Sequence, residues 1–157
     1  MDIQNLYSVL FESAAEGLVV TNQSGNIIKL NQRTEELFGY LEYELINKNI
    51  SILIPEKYRG NHSKHTEAYM QNPHKRSMGK GMELYARRKN GTVFPVEISL
   101  NSFSSGDDKY AMALITDITE RQKAEKKIIE LNQQLEARVE ERTHELEVIN
   151  MDLQEEN

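Results

Sequence analysis

The chain has 157 residues, a net charge of −6 and no cysteine. The length allows one domain of ordinary size plus an appendage, and the acidic balance argues against a general nucleic-acid binder. The lack of cysteine excludes disulfides, cysteine-ligated zinc, iron–sulfur clusters and cysteine nucleophiles. No apolar run approaches the roughly 20 residues that cross a bilayer, and Met1–Gln4 is not a signal peptide. We therefore expect a cytoplasmic protein without a membrane partner.

The first third of the sequence predicts a helix, a hairpin and two further short helices. Apolar side chains recur at helical spacing in residues 1–13, which favours an amphipathic helix. Residues 17–21 and 27–30 are apolar runs of strand length on either side of a turn cluster, so they predict a β-hairpin. The apolar residues then return to helical spacing, over 32–38 and over 41–46.

The rest of the globular part predicts one longer helix and three strands. The helix covers 57–71, where histidines and aromatic residues share one broad face. The strands cover 78–87, 93–101 and 110–116. An Asn-Gly pair at 90–91 joins the first two, because it supplies the positive φ angles of a tight turn. This order of elements predicts an α+β domain with one antiparallel sheet.

Residues 117–121 join this domain to a long polar tail. A strand ends and a helix begins within about three residues, which predicts a stiff connection. Thr119 is a good N-cap, since its hydroxyl can accept from a backbone N–H of the first turn, and Gln122 completes a capping box. Asp117 can accept from the same turn or pair with Arg121. We expect these four side chains to couple the two parts of the chain.

Several short motifs of the globular part occur in a fixed order. They are Asn31, Phe38-Gly39-Tyr40, Glu44-Leu45-Ile46, Arg87-Arg88-Lys89-Asn90-Gly91-Thr92, Phe94-Pro95-Val96-Glu97-Ile98-Ser99 and Asp117-Ile118-Thr119-Glu120-Arg121. The ordered set resembles the PAS sensor-domain family over about residues 5–121, and it is more specific than any single motif. One departure is Asn47, where the family usually has glycine. Asparagine tolerates the left-handed backbone conformation, so it should substitute at small cost.

The resemblance implies a five-stranded antiparallel sheet in the order 2-1-5-4-3, with short helices packed over one face. The chain then divides into an N-terminal amphipathic helix, 1–13, a PAS domain, 14–119, and a coiled-coil signalling helix, 120–157. Pro95 would lie in an interior strand, although proline cannot donate to a neighbouring strand. The resemblance also implies a signalling role, usually through a dimer, with residues 117–122 as the signal junction.

The tail carries a thin apolar seam in two registers. Its residues are Ile128, Leu131, Leu135, Val139, Leu146, Ile149 and Leu153. The step from Leu135 to Val139 is four residues, so the two heptad registers differ by a stutter, which locally unwinds a left-handed coiled coil. The helix, on the order of 55 Å long, is too polar to be stable alone. We therefore expect a parallel homodimer that buries this seam.

Residues 131–143 resemble the linkers that precede the phospho-accepting helices of sensor histidine kinases. The resemblance implies that the chain is the N-terminal part of such a kinase and serves a two-component system through a downstream kinase domain. The sequence itself has no Gly-rich phosphate loop and no ATP lid, so we expect no enzyme activity from the chain as given. His144 lacks the surroundings of a phospho-acceptor and is interpreted as a surface residue.

The resemblance implies a pocket that holds flavin, heme, a small metabolite or nothing. Cysteine-adduct flavin is excluded, because there is no cysteine. Residues 58–62 resemble the Arg-x-x-His segment of oxygen-sensing heme PAS domains. Carried over, His62 is the proximal ligand, Arg76 meets a heme propionate and Met82 occupies the distal position. The simpler interpretation is that His62 and His65 are polar helix residues and that the pocket has no cofactor.

Further alternatives stay open at this point. The chain could be a heme-based gas or redox sensor, a ligand-free dimerisation adaptor, or an input module for a cyclase or transcription factor. A zinc site at His62 and His65 has helical spacing but lacks a third ligand. The basic run 87–89 could meet phosphate or form a solvated hairpin end.

Overall fold

The computed structural model describes residues 2–72, 76–78 and 83–156, with the backbone only for 76–78. The chain divides into two compact units, Met1–Thr119 and Glu120–Asn157. The helices are α1 (Ile3–Glu12), α2 (Gln32–Phe38), α3 (Glu42–Leu45), α4 (Glu56–Gln71) and α5 (Thr119–Glu155), with a 3₁₀ helix at Ile50–Leu53. The strands are β1 (Gly17–Asn22), β2 (Ile27–Leu30), β3 (Arg76–Met78), β4 (Tyr85–Arg87), β5 (Val93–Ser105) and β6 (Asp108–Asp117).

The strands form one antiparallel sheet in the order β2-β1-β6-β5-β3, and β4 also pairs with β5. If β3 and β4 are taken as one interrupted strand, this is the predicted order 2-1-5-4-3. The continuous strand predicted over 78–87 is wrong. Glu83 and Leu84, directly before β4, do not belong to a strand. Residues 79–82 of the predicted range lie outside the described residues.

The core lies between one face of the sheet and the short helices after β2. Its most deeply buried large side chains are Phe38, Ile27, Leu45, Val19 and Val96. The turns that place them follow the predicted chemistry. Gly39 ends α2 in the left-handed conformation. Asn47 adopts φ 64°, as expected for the residue that replaces the family's glycine.

Pro95 is accommodated because of where the β5–β6 ladder begins. The ladder starts one residue later, at Val96, which pairs with Asp117. The Pro95 carbonyl accepts from the Ile118 N–H at 3.2 Å. Because the nitrogen and carbonyl of a strand residue point to the same side, the proline nitrogen also lies beyond the end of that ladder. The missing N–H therefore removes no ladder hydrogen bond.

The second unit is described by α5 alone. The helix buries none of its residues, and every seam side chain is at least 50% exposed. Ile128, Leu135, Arg142 and Ile149 are seven residues apart, so this column belongs to both predicted heptad registers. Within the described part of the chain, no helix has the length and apolar character needed to span a membrane.

Candidate functional site

A cavity of about 410 Å³ lies between α4 and the inner face of the sheet. The helix contributes the polar and aromatic side of this cavity. Its lining residues are Tyr58, Asn61, His62, His65, Thr66 and Tyr69. Their spacing of three and four residues is that of one helical face, as the sequence indicated.

The sheet contributes an apolar floor with small residues at its centre. Ala111 and Ala113 of β6 face the cavity. Ala113 pairs with Val19 of β1 on one side and with Leu100 of β5 on the other, and both of these also line the cavity. Ala111 lies between the short side chains of Thr21 and Ser102. The small side chains at these positions leave unfilled volume above the central strand. The cavity is therefore a consequence of residue size on β6.

His62 stands where the cavity meets the protein surface. It also lines a second, polar hollow together with Thr66 and Ile50. Its Nδ1 lies 3.4 Å from the Thr66 hydroxyl, and that hydroxyl donates to the His62 carbonyl at 3.0 Å. Burial lowers the pKa of His62, and the nearby His65 lowers the pKa further. The imidazole is therefore neutral near pH 7 and can act as a ligand or a hydrogen-bond partner.

Of the three predicted heme residues, His62 is the one whose side chain the structure describes. His62 lines the cavity as expected. Met82 lies outside the described residues, and Arg76 is described only by its backbone in β3. Among the described residues no group of three metal-binding side chains exists.

The predicted junction is built around Asp117, the last residue of β6. Oδ1 of Asp117 accepts from the Thr119 N–H at 2.9 Å and from the Thr119 hydroxyl at 2.5 Å. The expected role of Thr119 is thus reversed: its hydroxyl donates, and Asp117 provides the acceptor at the first turn of α5. The capping residue is Asp117 rather than Thr119, because Thr119 is already the first residue of α5.

Arg88 is the cationic partner of Asp117. Its guanidinium reaches Asp117 Oδ2 at 2.8 Å, and both side chains are mostly buried, with 26% and 22% of their area exposed. It also donates to the carbonyl of Leu37 in α2. Burial raises the pKa of Asp117, but the hydrogen bonds from Thr119 and Arg88 outweigh it, so the net pKa is lowered. Arg121, which the sequence suggested as a partner of Asp117, lies 4.0 Å from Glu125. Gln122, the predicted second residue of the capping box, is half-buried in the first turns of α5.

A chain of contacts leads from the cavity to this junction. Phe38 lines the cavity, and its ring meets the ring of Phe94 edge-on at 5.6 Å. The Arg88 guanidinium lies over the Phe94 ring, 3.8 Å from the ring centre. Arg88 then holds Asp117, which holds the start of α5. Each step is a direct contact between well-packed or charged groups.

Comparison with protein families now identifies the fold. The PAS fold matches residues 5–118 of the sequence. The chain belongs to the PAS family. The matched range includes all strands, the cavity and Asp117, and it ends one residue before α5 begins.

Relatives of this PAS protein include sensor proteins and kinases. Sensor protein FixL of Bradyrhizobium diazoefficiens is 30% identical over 131 residues, which are 83% of this chain and 26% of FixL. Sporulation kinase C of Bacillus subtilis is 31% identical over 136 residues, which are 85% of this chain and 28% of the kinase. The chain therefore spans about a quarter of the length of these relatives.

A solved structure shares the fold. The PAS domain of a protein from Colwellia psychrerythraea matches with a TM-score of 0.66 and 21% identity, over 76% of this chain and 99% of that one. At this identity the likeness concerns the fold, and function must be argued from the site.

The basic run of this PAS domain pairs with carboxylates rather than standing free. Arg87 lies 3.5 Å from Glu56, and Lys89 lies 2.6 Å from Glu44. Arg88 binds Asp117, as described above. The run therefore ties the β4–β5 hairpin to neighbouring elements, and a phosphate site there is not supported.

Asn31 links three segments of the chain, which the residue pattern alone did not predict. Its Oδ1 accepts from the Leu18 N–H at 2.8 Å and from the N–H and hydroxyl of Thr34. Its Nδ2 donates to the carbonyls of Phe11 and Glu16, both at 3.1 Å. One buried amide therefore joins the end of α1, the start of β1 and the start of α2.

Proposed function

We propose that this chain is a PAS sensory and dimerisation module that passes a signal through a parallel coiled coil to a C-terminal histidine kinase. The observation that carries this proposal is the junction at Asp117. One carboxylate accepts hydrogen bonds from the start of α5 and binds Arg88, whose guanidinium rests on a ring next to the cavity. A change in the cavity can therefore alter the start of the output helix.

The contacts suggest how such a change would travel. Movement of Phe38 displaces Phe94, because aromatic rings in a packed core have little free space. Arg88 must follow the ring or lose its contact with it. The guanidinium also binds the Leu37 carbonyl, so its position depends on α2 as well as on the sheet. Asp117 then tilts or releases the first turn of α5.

The exposed apolar seam of α5 supports a dimer whose helices respond to this movement. Its apolar side chains are largely exposed in the single chain, and a polar helix of this length needs a partner for stability. A second copy in parallel buries the seam in both registers. The stutter between Leu135 and Val139 and the polar residue Arg142 weaken the register at one place, so the two helices can shift there.

The kinase output rests on the relatives, whose names include a sensor protein and a kinase. The experiment is a chimera in which this chain replaces the matching segment of FixL, joined in the same heptad phase. One to seven alanines are inserted after Leu135, and autophosphorylation is measured. We expect activity to vary with a period near seven residues, because each insertion rotates the output helices.

The control for this series is the same set of insertions in the exposed two-residue turn between β5 and β6, after Gly106. These insertions lengthen the β5–β6 hairpin and leave the helix phase unchanged. Equal activity across the α5 series would refute signal passage through a register-defined coil. A dimer that signals normally without any ligand would favour the adaptor function instead.

A heme-bound gas or redox sensor is a second candidate, supported by His62. Its imidazole lines the cavity, is neutral near pH 7, and has Nδ1 beside the Thr66 hydroxyl. Among the described residues Nε2 has no hydrogen-bond partner, so this nitrogen suits an iron ligand. Bound heme would supply an iron centre for a diatomic gas, and His62 would hold it.

The heme candidate is tested with protein purified from cells that are supplied with heme precursor. A Soret band in the wild type that disappears in His62→Ala and persists in His65→Ala would support it. His65 is the matched control, because it lies on the same face three residues away. A colourless protein, or equal loss in both variants, would contradict a His62-ligated heme.

A further inference from the structure

The turn between β4 and β5 holds a pair of residues that can modify itself. The sequence contains one Asn-Gly pair, Asn90-Gly91. We propose that Asn90 converts spontaneously to aspartyl and isoaspartyl residues, and that the isoaspartyl form loosens the hold of Arg88 on Asp117. Neither the coiled coil nor a ligand in the cavity is needed for this reaction.

Water is the one co-reactant of the conversion. The backbone nitrogen of Gly91 loses its proton to solvent and attacks Cγ of Asn90. The Cγ–Nδ2 bond breaks, and ammonia leaves with a proton taken from solvent, so that a five-membered succinimide ring forms. Water then opens the ring. Cleavage between Cγ and the nitrogen gives aspartate, and cleavage between the main-chain carbonyl and the nitrogen gives isoaspartate. One water is consumed, one ammonia is released, and nothing is oxidised or reduced.

The attacking nitrogen is accessible because the second residue is glycine. Gly91 is exposed, has φ 88°, and within the described part of the chain a Cβ built on it would meet no atom within 4 Å. Its N–H donates to the Arg88 carbonyl at 3.0 Å. That proton lies in the peptide plane, so the hydrogen bond does not use the faces of the nitrogen from which attack occurs. The two reacting groups belong to adjacent residues, and such proximity favours an intramolecular reaction.

The same turn activates the amide that is attacked. Oδ1 of Asn90 accepts from the Thr92 N–H at 2.9 Å. When the nitrogen adds to Cγ, negative charge develops on this oxygen. A backbone donor already directed at the oxygen stabilises that charge, as the donors of an oxyanion hole do. The hydrogen bond that shapes the turn therefore also favours the reaction.

The isoaspartyl product changes the backbone of the turn. Its main chain runs through Cβ and Cγ, so the segment from Arg88 to Thr92 becomes one methylene longer. Both sides of this segment are anchored. The Arg88 N–H donates to the Thr92 carbonyl and the Lys89 N–H donates to the Phe38 carbonyl, each at 2.9 Å. A longer turn cannot keep all of these contacts, so its first residues must move.

Arg88 is the residue through which this movement reaches α5. It stands at the beginning of the turn, and its guanidinium lies 2.8 Å from Asp117 Oδ2. Displacement of its backbone therefore weakens the ion pair. Asp117 accepts hydrogen bonds from Thr119 at the start of α5, so these bonds lose the cation that fixes their acceptor.

The first test ages the intact chain at neutral pH and physiological temperature. Trypsin releases one peptide from Asn90 to Lys109, in which fragmentation locates the mass increase of deamidation and enzymatic methylation detects isoaspartate. Asn101, which precedes serine in the same peptide, is the internal reference. We expect Asn90 to react at least tenfold faster than Asn101. An Asn90 that stays intact, or that reacts less than tenfold faster than Asn101, would overturn the proposal.

Two substitutions at the same position serve as controls. Asn90→Ser keeps an oxygen that can accept from Thr92 but has no amide to lose, so the isoaspartyl signal of the peptide should disappear. A signal that persists in this variant would place the reaction at another residue. Freshly purified Asn90→Asp has the negative charge of the product with a backbone of normal length.

The second test measures the effect on the junction. Anion exchange separates the isoaspartyl form from the unmodified chain, and hydrogen exchange is followed at the Thr119 N–H, which donates to Asp117. We expect exchange there to rise at least tenfold in the isoaspartyl form and to stay within twofold of wild type in Asn90→Asp. Unchanged exchange in the isoaspartyl form would refute the effect on Arg88 and Asp117. An equal rise in both forms would refute the role of the longer backbone.

Discussion

At the scale of single residues, a few side chains of this chain join segments that are distant in sequence. Arg88 lies 29 residues from Asp117 and 51 from Leu37 in sequence, yet it binds both. Asp117 in turn accepts from Thr119. The pair is mostly buried, so its energy is screened less than that of a surface ion pair. The junction therefore owes its geometry to charge as well as to packing.

The state of Asp117 predicts a specific acid sensitivity. Burial raises its pKa, but the hydrogen bonds from Thr119 and Arg88 prevail and lower it below the unfolded value, which is about 3.9. A lowered folded pKa contributes stability that is fully present above about pH 3.9 and is lost as the pH falls through the folded pKa. In Asp117→Asn this contribution is absent, so the stability difference from wild type should be constant from pH 5 to 7 and shrink below pH 4.

The measurement is the free energy of unfolding in urea at a fixed protein concentration, since the proposed dimer would make stability depend on concentration. Arg88→Met should reduce the same acid-dependent step, because it removes one cause of the lowered pKa. Arg87→Met is the matched control one residue away, where the partner is the exposed Glu56. A stability difference for Asp117→Asn that does not change with pH would contradict this account.

At the scale of elements, Asn31 decides how α1 is attached. The helix buries none of its residues, so its position depends on the segment that follows it. That segment is held by Asn31 through Phe11 and Glu16 and by a hydrogen bond from the Gln32 N–H to Glu12 at 2.9 Å. The end of α1 is thus fixed to the start of α2 by polar contacts rather than by a packed face.

Asn31→Asp should distinguish the hydrogen bonds that Asn31 donates from those that it accepts. The variant keeps an acceptor for Leu18 and Thr34 but places an oxygen where Nδ2 donated to two carbonyls. We expect a loss of about 2–4 kcal/mol in the free energy of unfolding at pH 7. The loss should be smaller near pH 4, because protonation of the new carboxyl restores a donor.

Urea unfolding measures this loss, and hydrogen exchange in residues 3–12 reports whether α1 is released first. The control is Asn90→Asp at an exposed turn, where the accepting oxygen is retained and the residue before Gly91 still suits the turn. A loss in Asn31→Asp no larger than in the control would show that the two donated hydrogen bonds contribute little.

The elements also show what sequence could and could not predict. Periodicity and turn residues were enough for the helices and the hairpins, because these depend on local chemistry, whereas the strand order followed from the resemblance to the PAS family. The cavity depends on which residues flank Ala113 across the sheet. The partner of Asp117 was missed because Arg88 reaches it only in the folded domain. Contacts between distant segments leave no periodic signal in one sequence.

At the scale of the whole molecule, the decisive question is whether α5 has a second copy as its partner. The column Ile128, Leu135, Arg142 and Ile149 lies on the seam in both registers. Within it, Arg142 is polar and ion-pairs with Glu145 at 3.1 Å, so the apolar members must hold the helices together on either side. Leu135 is next to the stutter and is 60% exposed in the single chain.

Leu135→Glu should therefore separate the dimer whichever register it adopts. Two like charges would face each other on the seam in place of apolar contact, and we expect the dimer to weaken at least tenfold. Since an isolated polar helix is marginal in water, helicity should fall together with dimerisation. Ala137→Glu adds the same charge away from the seam and should leave both unchanged.

Sedimentation equilibrium measures the association and circular dichroism the helicity, each over a range of concentrations. An unchanged dimer in Leu135→Glu would place the interface on another surface, and a monomeric wild type would remove the coiled coil from the proposed mechanism while leaving the cavity and the Asp117 junction intact.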